Sequence, residues 1–125
     1  LIMNKVIFME SPGSLTFEMM DVPAITGLAR DKGVVTMIDN TWSSPYFCQP
    51  IKLGVDVVIE ACTKYVVGHS DVMMGSVTVN DNEHFIPVKN MANTYGYHAA
   101  PDDCYLALRG LRTISVRLQR HQDLG

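Results

Sequence analysis

The sequence predicts an α/β fold built on a mostly parallel sheet, and three observations predict it. Strand-like apolar runs alternate with a marked helix and a crossover, in the order strand, helix, strand, crossover, strand. The first three runs are almost continuously apolar, as strands covered on both faces are. Hydrophobic residues make up 47 % of the 125 residues and charged residues 18 %, which supplies one core and little free surface.

Each element has its own signal. Lys5 to Glu10, "KVIFME", continues an apolar run that begins near Leu1 and reads as a strand. "SPGSLT" is punctuated by Pro12 and Gly13 and reads as a turn. "DVPAITGLARDKG" has Asp21 as an N-cap, Pro23 in the first turn and Gly33 as a stop, which marks a helix. Val34 to Asp39 is a second strand, and "TWSSPYFCQPIKLG" is a connection with a short helical turn. Val55 to Ala61 and Gly75 to Asn80 are further strands. In the last third, Leu106, Leu111, Ile114 and Leu118 fall at roughly helical spacing, and "PDDCYLALRGLRTISVRLQRH" reads as one long amphipathic helix.

Composition narrows the function classes. No stretch reaches the ~18 apolar residues of a membrane span, and no charged-then-apolar leader is present. The three cysteines, Cys48, Cys62 and Cys104, lack metal or redox spacing and read as reduced thiols of a cytosolic protein. A net charge of −3 argues against nucleic acid as a partner. The low charge and the abrupt ends lead us to expect an internal segment of a longer protein.

The chemistry-bearing residues fall at strand ends. Ligands of open α/β sheets bind beyond the carboxyl ends of the strands. Asp39 closes the second run, Thr63 and Lys64 follow the third, and Glu10 and Ser11 follow the first. Sequential parallel strands lie near one another, so these ends are expected to share a crevice. A carboxylate facing an amine suits pyridoxal phosphate, which a lysine holds as a Schiff base while an acid sits at the ring nitrogen. Thr63 would offer a hydroxyl to the phosphate, and burial would tune the lysine. On the residues alone, a solvated lysine and a turn-forming aspartate remain open alternatives.

The block "MIDNTWSSPYFCQPIKLGVDVVIEACTKYVVGHSDVMMGSV" resembles the Cys/Met-metabolism family of pyridoxal-phosphate enzymes, and "TKYVVGHSDVMMG" is its most specific stretch. "ESPGSLTFEMMDVPAI" and "RGLRTISVRLQRH" resemble the same family in the same order. The resemblance implies the central part of the large cofactor-binding domain of a fold type I, aspartate-aminotransferase-like enzyme, covering residues 1–125. It implies that Lys64 bonds to the cofactor, Asp39 pairs with its ring nitrogen and Thr63 binds its phosphate. A serine that family members often place three positions before the lysine is Ala61 here. Gly13, Ser14 and Leu15 after "ESP", together with Trp42 and "RGLRTISVRLQRH", resemble the β-lyase branch, whereas "SPYF" is common in γ-lyases. The implied activity is β-elimination of cystathionine, with a γ-acting relative or a non-catalytic fragment as alternatives. The resemblance also implies an amino-acid substrate, a cytoplasmic homotetramer and a role in methionine biosynthesis. The phosphate loop, the ring-stacking aromatic and the carboxylate-binding arginine are expected outside this segment.

Other residues read more plainly. Trp42 reads as a packing residue beside the site, with a wall of the cofactor pocket as the alternative, and Tyr65 reads as mostly structural. His69, Ser70 and Asp71 form a polar turn that lacks the further ligands a metal needs. Cys62 is a small buried hydrophobe. Arg109, Arg112, Arg117 and Arg120 lie off the leucine stripe and read as a solvated or interface face.

Overall fold

The computed structural model describes residues 5–125, so the start of the apolar run near Leu1 lies outside the described residues. Four strands form one sheet in the order β1 (Val6–Glu10), β2 (Val35–Asp39), β3 (Val57–Glu60) and β4 (Ser76–Val79). β1, β2 and β3 are parallel, and β4 is antiparallel to β3. The register pairs Glu10 with Asp39, and Asp39 with Ile59. The carboxyl ends of three neighbouring strands therefore meet along one edge.

The first crossover is α1 (Val22–Asp31). Asp21 accepts from the Ala24 N–H at 3.0 Å, Pro23 sits in the first turn, and Gly33 leaves the helix at φ +62°. α1 packs one face on the sheet, where Val22 joins Met9, Ile38, Val55 and Val58 in the main core. Thr26 anchors the helix by donating to the Leu53 carbonyl at 2.8 Å. Asp56 fixes the start of β3 against β2 by accepting from both the N–H and the hydroxyl of the buried Thr36, each at 2.8 Å. α2 (Ser44–Phe47) and a 3-10 turn (Pro50–Leu53) form the second connection.

The C-terminal third departs from expectation. The single long helix is two, α4 (Pro101–Leu111) and α5 (Ile114–Leu124). The break follows from the Gly110 carbonyl. A continuing helix would give that oxygen to the Ile114 N–H. Instead it accepts from the Thr113 N–H, the Thr113 hydroxyl and Arg117. The apolar stripe divides accordingly. Leu106 packs on Val67, Val72 and Ala107, whereas Ile114 and Leu118 are buried from α5.

A further helix, α3 (Asn82–Tyr95), carries no sequence expectation. Asp81 caps it, accepting from the His84 N–H at 2.9 Å. Pro87 lies inside it and forfeits one backbone bond, which masks the helix in the sequence. None of its residues is buried. Among the described residues, no helix is long and apolar enough to cross a membrane.

Candidate active site

Two turns beyond the sheet carry the chemistry. The first leaves β2 as Asp39–Asn40–Thr41. Asp39 accepts from the Thr41 N–H at 2.8 Å, an Asx-type turn natural to a short carboxylate side chain. The Thr41 hydroxyl in turn accepts from the Ala61 N–H at 2.8 Å, so the turns after β2 and β3 are stitched together.

The second turn runs from Cys62 to Gly68. It is wound tightly: Lys64 N–H reaches the Ala61 carbonyl at 2.9 Å, and Gly68 N–H reaches the Lys64 carbonyl at 2.8 Å. Arg117 clamps it from α5, donating to the Tyr65 carbonyl at 2.8 Å and the Val66 carbonyl at 3.2 Å. Two glycines permit the close approach. Gly68 takes φ +76°, and a Cβ there would strike the Arg117 guanidinium. A Cβ on Gly110 would strike the Val66 and Val67 carbonyls. Arg117 is thus a structural cation bonded to carbonyls, which corrects the expectation of a solvated or interface side chain. Arg109 fits that expectation better, half-exposed with Asp71 4.0 Å away.

Between the turns opens a cleft of about 1030 Å³. Asp39, Thr63 and Lys64 all line it, together with Glu10, Thr41 and Trp42. The structure brings together all three residues singled out in the sequence, with Glu10 beside them. Ser11 is not among them. It is 7 % exposed, and its hydroxyl accepts from the Met20 N–H at 3.0 Å, because the chain turns inward after β1. Glu10 is tied to Ser14, whose hydroxyl donates to it at 2.7 Å. Trp42 is not packed away either. It stands at the cleft wall, 43 % exposed, edge-on to Phe17 at 5.4 Å. Sequence reasoning missed Thr41, and also Arg117 and His121, which reach the cleft from α5.

Glu60 and Asn40 form a buried pair behind the cleft. Asn40 donates to the Glu60 carboxyl at 2.7 Å, with Asn40 1 % and Glu60 6 % exposed. Burial pushes the Glu60 carboxyl up from 4.5 to about 7; the Asn40 bond opposes this and the Asp39 charge adds to it. Burial, then the Glu60 charge, likewise raises the Cys48 thiol. The only sequence signal for the pair is a glutamate closing an otherwise apolar strand. The folded state holds the Glu60 proton more tightly than the unfolded chain. Its contribution to stability is therefore full below about pH 4.5 and lost as pH rises through about 7. Allowing for screening by water, the loss is about 1–2 kcal/mol. Glu60→Gln in the full-length protein should abolish that part of the pH slope in urea unfolding. Equal slopes in variant and wild type would contradict this assignment.

The donor set fits the ring end of pyridoxal phosphate: an amine on one turn and a carboxylate on the next, open to one cleft. Among the described residues Lys64 makes no ion pair, so its amine is uncommitted. It is exposed in this chain rather than buried as the sequence reading expected. The phosphate end is sparsely provided. The Thr63 hydroxyl donates to the Met74 carbonyl at 3.2 Å and accepts from the Met74 N–H at 2.9 Å. Ala61 has no hydroxyl, so phosphate donors must come mainly from elsewhere.

Comparison with known proteins agrees with this geometry. The model of the family described as Cys/Met metabolism PLP-dependent enzyme matches residues 3–124. A putative cystathionine beta-lyase of Rhizobium johnstonii is 48 % identical over 120 residues, 96 % of this chain and 30 % of that protein. An L-alanine/L-glutamate racemase of Wolbachia pipientis wMel is 42 % identical over 120 residues, with the same 96 % and 30 % coverage. The crystal structure of cystathionine gamma synthase from Xanthomonas oryzae pv. oryzae in complex with aminoacrylate and cysteine superposes with a TM-score of 0.87 at 36 % identity. That match covers 90 % of this chain and 29 % of the other. The chain thus spans about a third of the length of these relatives. An amine and a carboxylate on adjacent strand ends, matched through nearly every residue, place this chain in the Cys/Met-metabolism family of pyridoxal-phosphate-dependent enzymes.

Proposed function

We propose that the full-length protein is a cystathionine β-lyase and that this chain is an internal part of its large cofactor-binding domain. The observation that carries the reading is the shared cleft of Lys64 and Asp39. The 48 % identity to the Rhizobium relative supports the β-lyase assignment. Pyridoxal phosphate supplies an electron-accepting ring that takes up the charge left when a proton departs from the substrate α-carbon.

The chain's own residues do the rest. Lys64 would hold the cofactor through its amine. With substrate bound, that amine would take the α-proton and give it to the departing sulfur. Asp39 holds a proton at the ring nitrogen by charge complementarity. Thr63 contributes to phosphate binding if its hydroxyl turns from Met74, with further donors from outside this chain. One water hydrolyses the three-carbon remainder, so the products are homocysteine, pyruvate and ammonia, a reaction of methionine biosynthesis. The same reading makes the protein a cytoplasmic homotetramer, acting on a small amino acid without nucleic acid or membrane. The uncovered apolar side chains of α3 and α4, among them Phe85, Ile86 and Tyr105, support an assembled state.

A γ-acting activity is the second reading, favoured by the likeness to the Xanthomonas synthase. Supplying cystathionine to the full-length enzyme and identifying the keto acid decides between them. Pyruvate is expected; 2-oxobutyrate would establish the γ-acting reading. In a parallel assay supplied with L-alanine, D-alanine without a keto acid would point to the racemase chemistry of the Wolbachia relative.

A further inference from the structure

We propose that Glu60 is a positioning residue for Asp39, acting through Asn40 to fix the turn that carries the cofactor-facing carboxylate. This rests on the assignment of Asp39 to the ring nitrogen.

The geometry is that of a strut. Glu60 closes β3, and Asn40 follows the last residue of the adjacent β2. Asn40 Nδ2 donates to Glu60 Oε1 at 2.7 Å and to the Cys48 carbonyl at 3.1 Å. Its N–H donates to the Ile59 carbonyl at 2.9 Å, and its carbonyl accepts from the Ser44 N–H at 2.8 Å. Four hydrogen bonds at Asn40 thus tie the turn to β3 and to the segment around α2. Asn40 Oδ1 is buried and has no partner among the described residues, where the side chain is held through Nδ2. Successive residues of an extended chain face opposite sides of the sheet. Asp39 accordingly lines the cleft, while Asn40 and Glu60 line a separate cavity of about 440 Å³ behind it. The strut therefore holds Asp39 without occupying the space a cofactor needs.

The strut is also electrostatic. Cys48 after α2 and Cys62 share the cavity with Glu60, and the Asp39 charge acts on it from the cleft side of the sheet. Burial keeps a proton on Glu60 up to near neutral pH. Above that, its ionisation adds a second negative charge beside Asp39, and two negative charges hold a ring-nitrogen proton more firmly than one.

The test is titration of the full-length apoprotein with pyridoxal 5′-phosphate, followed by cofactor absorbance, at about pH 6 and about pH 8.5, either side of the Glu60 transition. Glu60→Leu removes the acceptor for Asn40 and is expected to weaken affinity about tenfold, as loss of a supporting partner does. Glu60→Gln keeps an acceptor oxygen and should match wild type at the lower pH, then fall several-fold behind at the higher. Taking the ratio of variant to wild type at each pH cancels the titrations of cofactor and lysine. Asp39→Ala separates the two layers of the argument. If Asp39→Ala weakens binding and Glu60→Leu does not, the strut is overturned and the Asp39 assignment stands. If Asp39→Ala binds like wild type, the assignment itself falls. A Glu60→Gln ratio that is constant with pH overturns the electrostatic part, and remains readable should Glu60→Leu fail to fold.

Discussion

Full-length protein carrying Lys64→Ala is expected to lose turnover at least about a thousandfold while keeping its fold. Lys64 is exposed and makes no ion pair among the described residues, so its removal costs little stability. Its backbone bonds to Ala61 and Gly68 survive the substitution. What disappears is an amine that can both bond to an aldehyde carbon and carry a proton. Lys64→Arg separates that role from simple charge. A guanidinium stays protonated throughout the accessible pH range and cannot act as a nucleophile or base. Both variants should therefore fail alike in steady-state assays, with unchanged circular dichroism. Substantial activity in Lys64→Arg would mean that Lys64 serves only as a positive charge.

Arg117→Ala is expected to cost about 3 kcal/mol and to disable the site indirectly. The guanidinium donates to the Tyr65, Val66 and Gly110 carbonyls at 2.8, 3.2 and 2.8 Å. Bonds from a charged donor contribute about 1.5–3 kcal/mol each, and losing the donor leaves the half-buried Tyr65 and Val66 carbonyls short of a partner, while the Gly110 carbonyl keeps Thr113. These carbonyls belong to the turn after Lys64 and to the break between α4 and α5. The turn should loosen, so kcat falls along with stability. Arg117→Lys places one compact ammonium where a planar fork spanned three acceptors, and should recover only part of the loss. Urea unfolding and steady-state kinetics on the full-length protein check both effects. An unchanged urea midpoint in Arg117→Ala would contradict the clamp.

Much of the site-bearing core was legible in the sequence. The apolar runs ending in Glu10, Asp39 and Ala61 do form strands, but cover on both faces fails for the edge strand β1, where Val6 and Phe8 are exposed. Asp21 and Gly33 marked α1 because cap chemistry is local. The meeting of Asp39, Thr63 and Lys64 in one cleft followed from the strand-end rule of parallel sheets. What escaped depends on contacts far apart in the chain. Arg117 binds carbonyls some fifty residues away, and no spacing within α5 announces that. The break at Thr113 arises from three donors converging on the Gly110 carbonyl, while the leucine spacing runs on across it. Ser11 was placed in the crevice by its position alone, but its hydroxyl is spent on Met20. Pro87 hid α3, whose exposed faces give no apolar stripe to read.

The most direct measurement is borohydride reduction of the full-length holoprotein followed by peptide mass mapping. The account predicts a stable cofactor adduct on the peptide carrying Lys64, lost in Lys64→Ala. An adduct confined to another lysine, or none with cofactor bound, would contradict it.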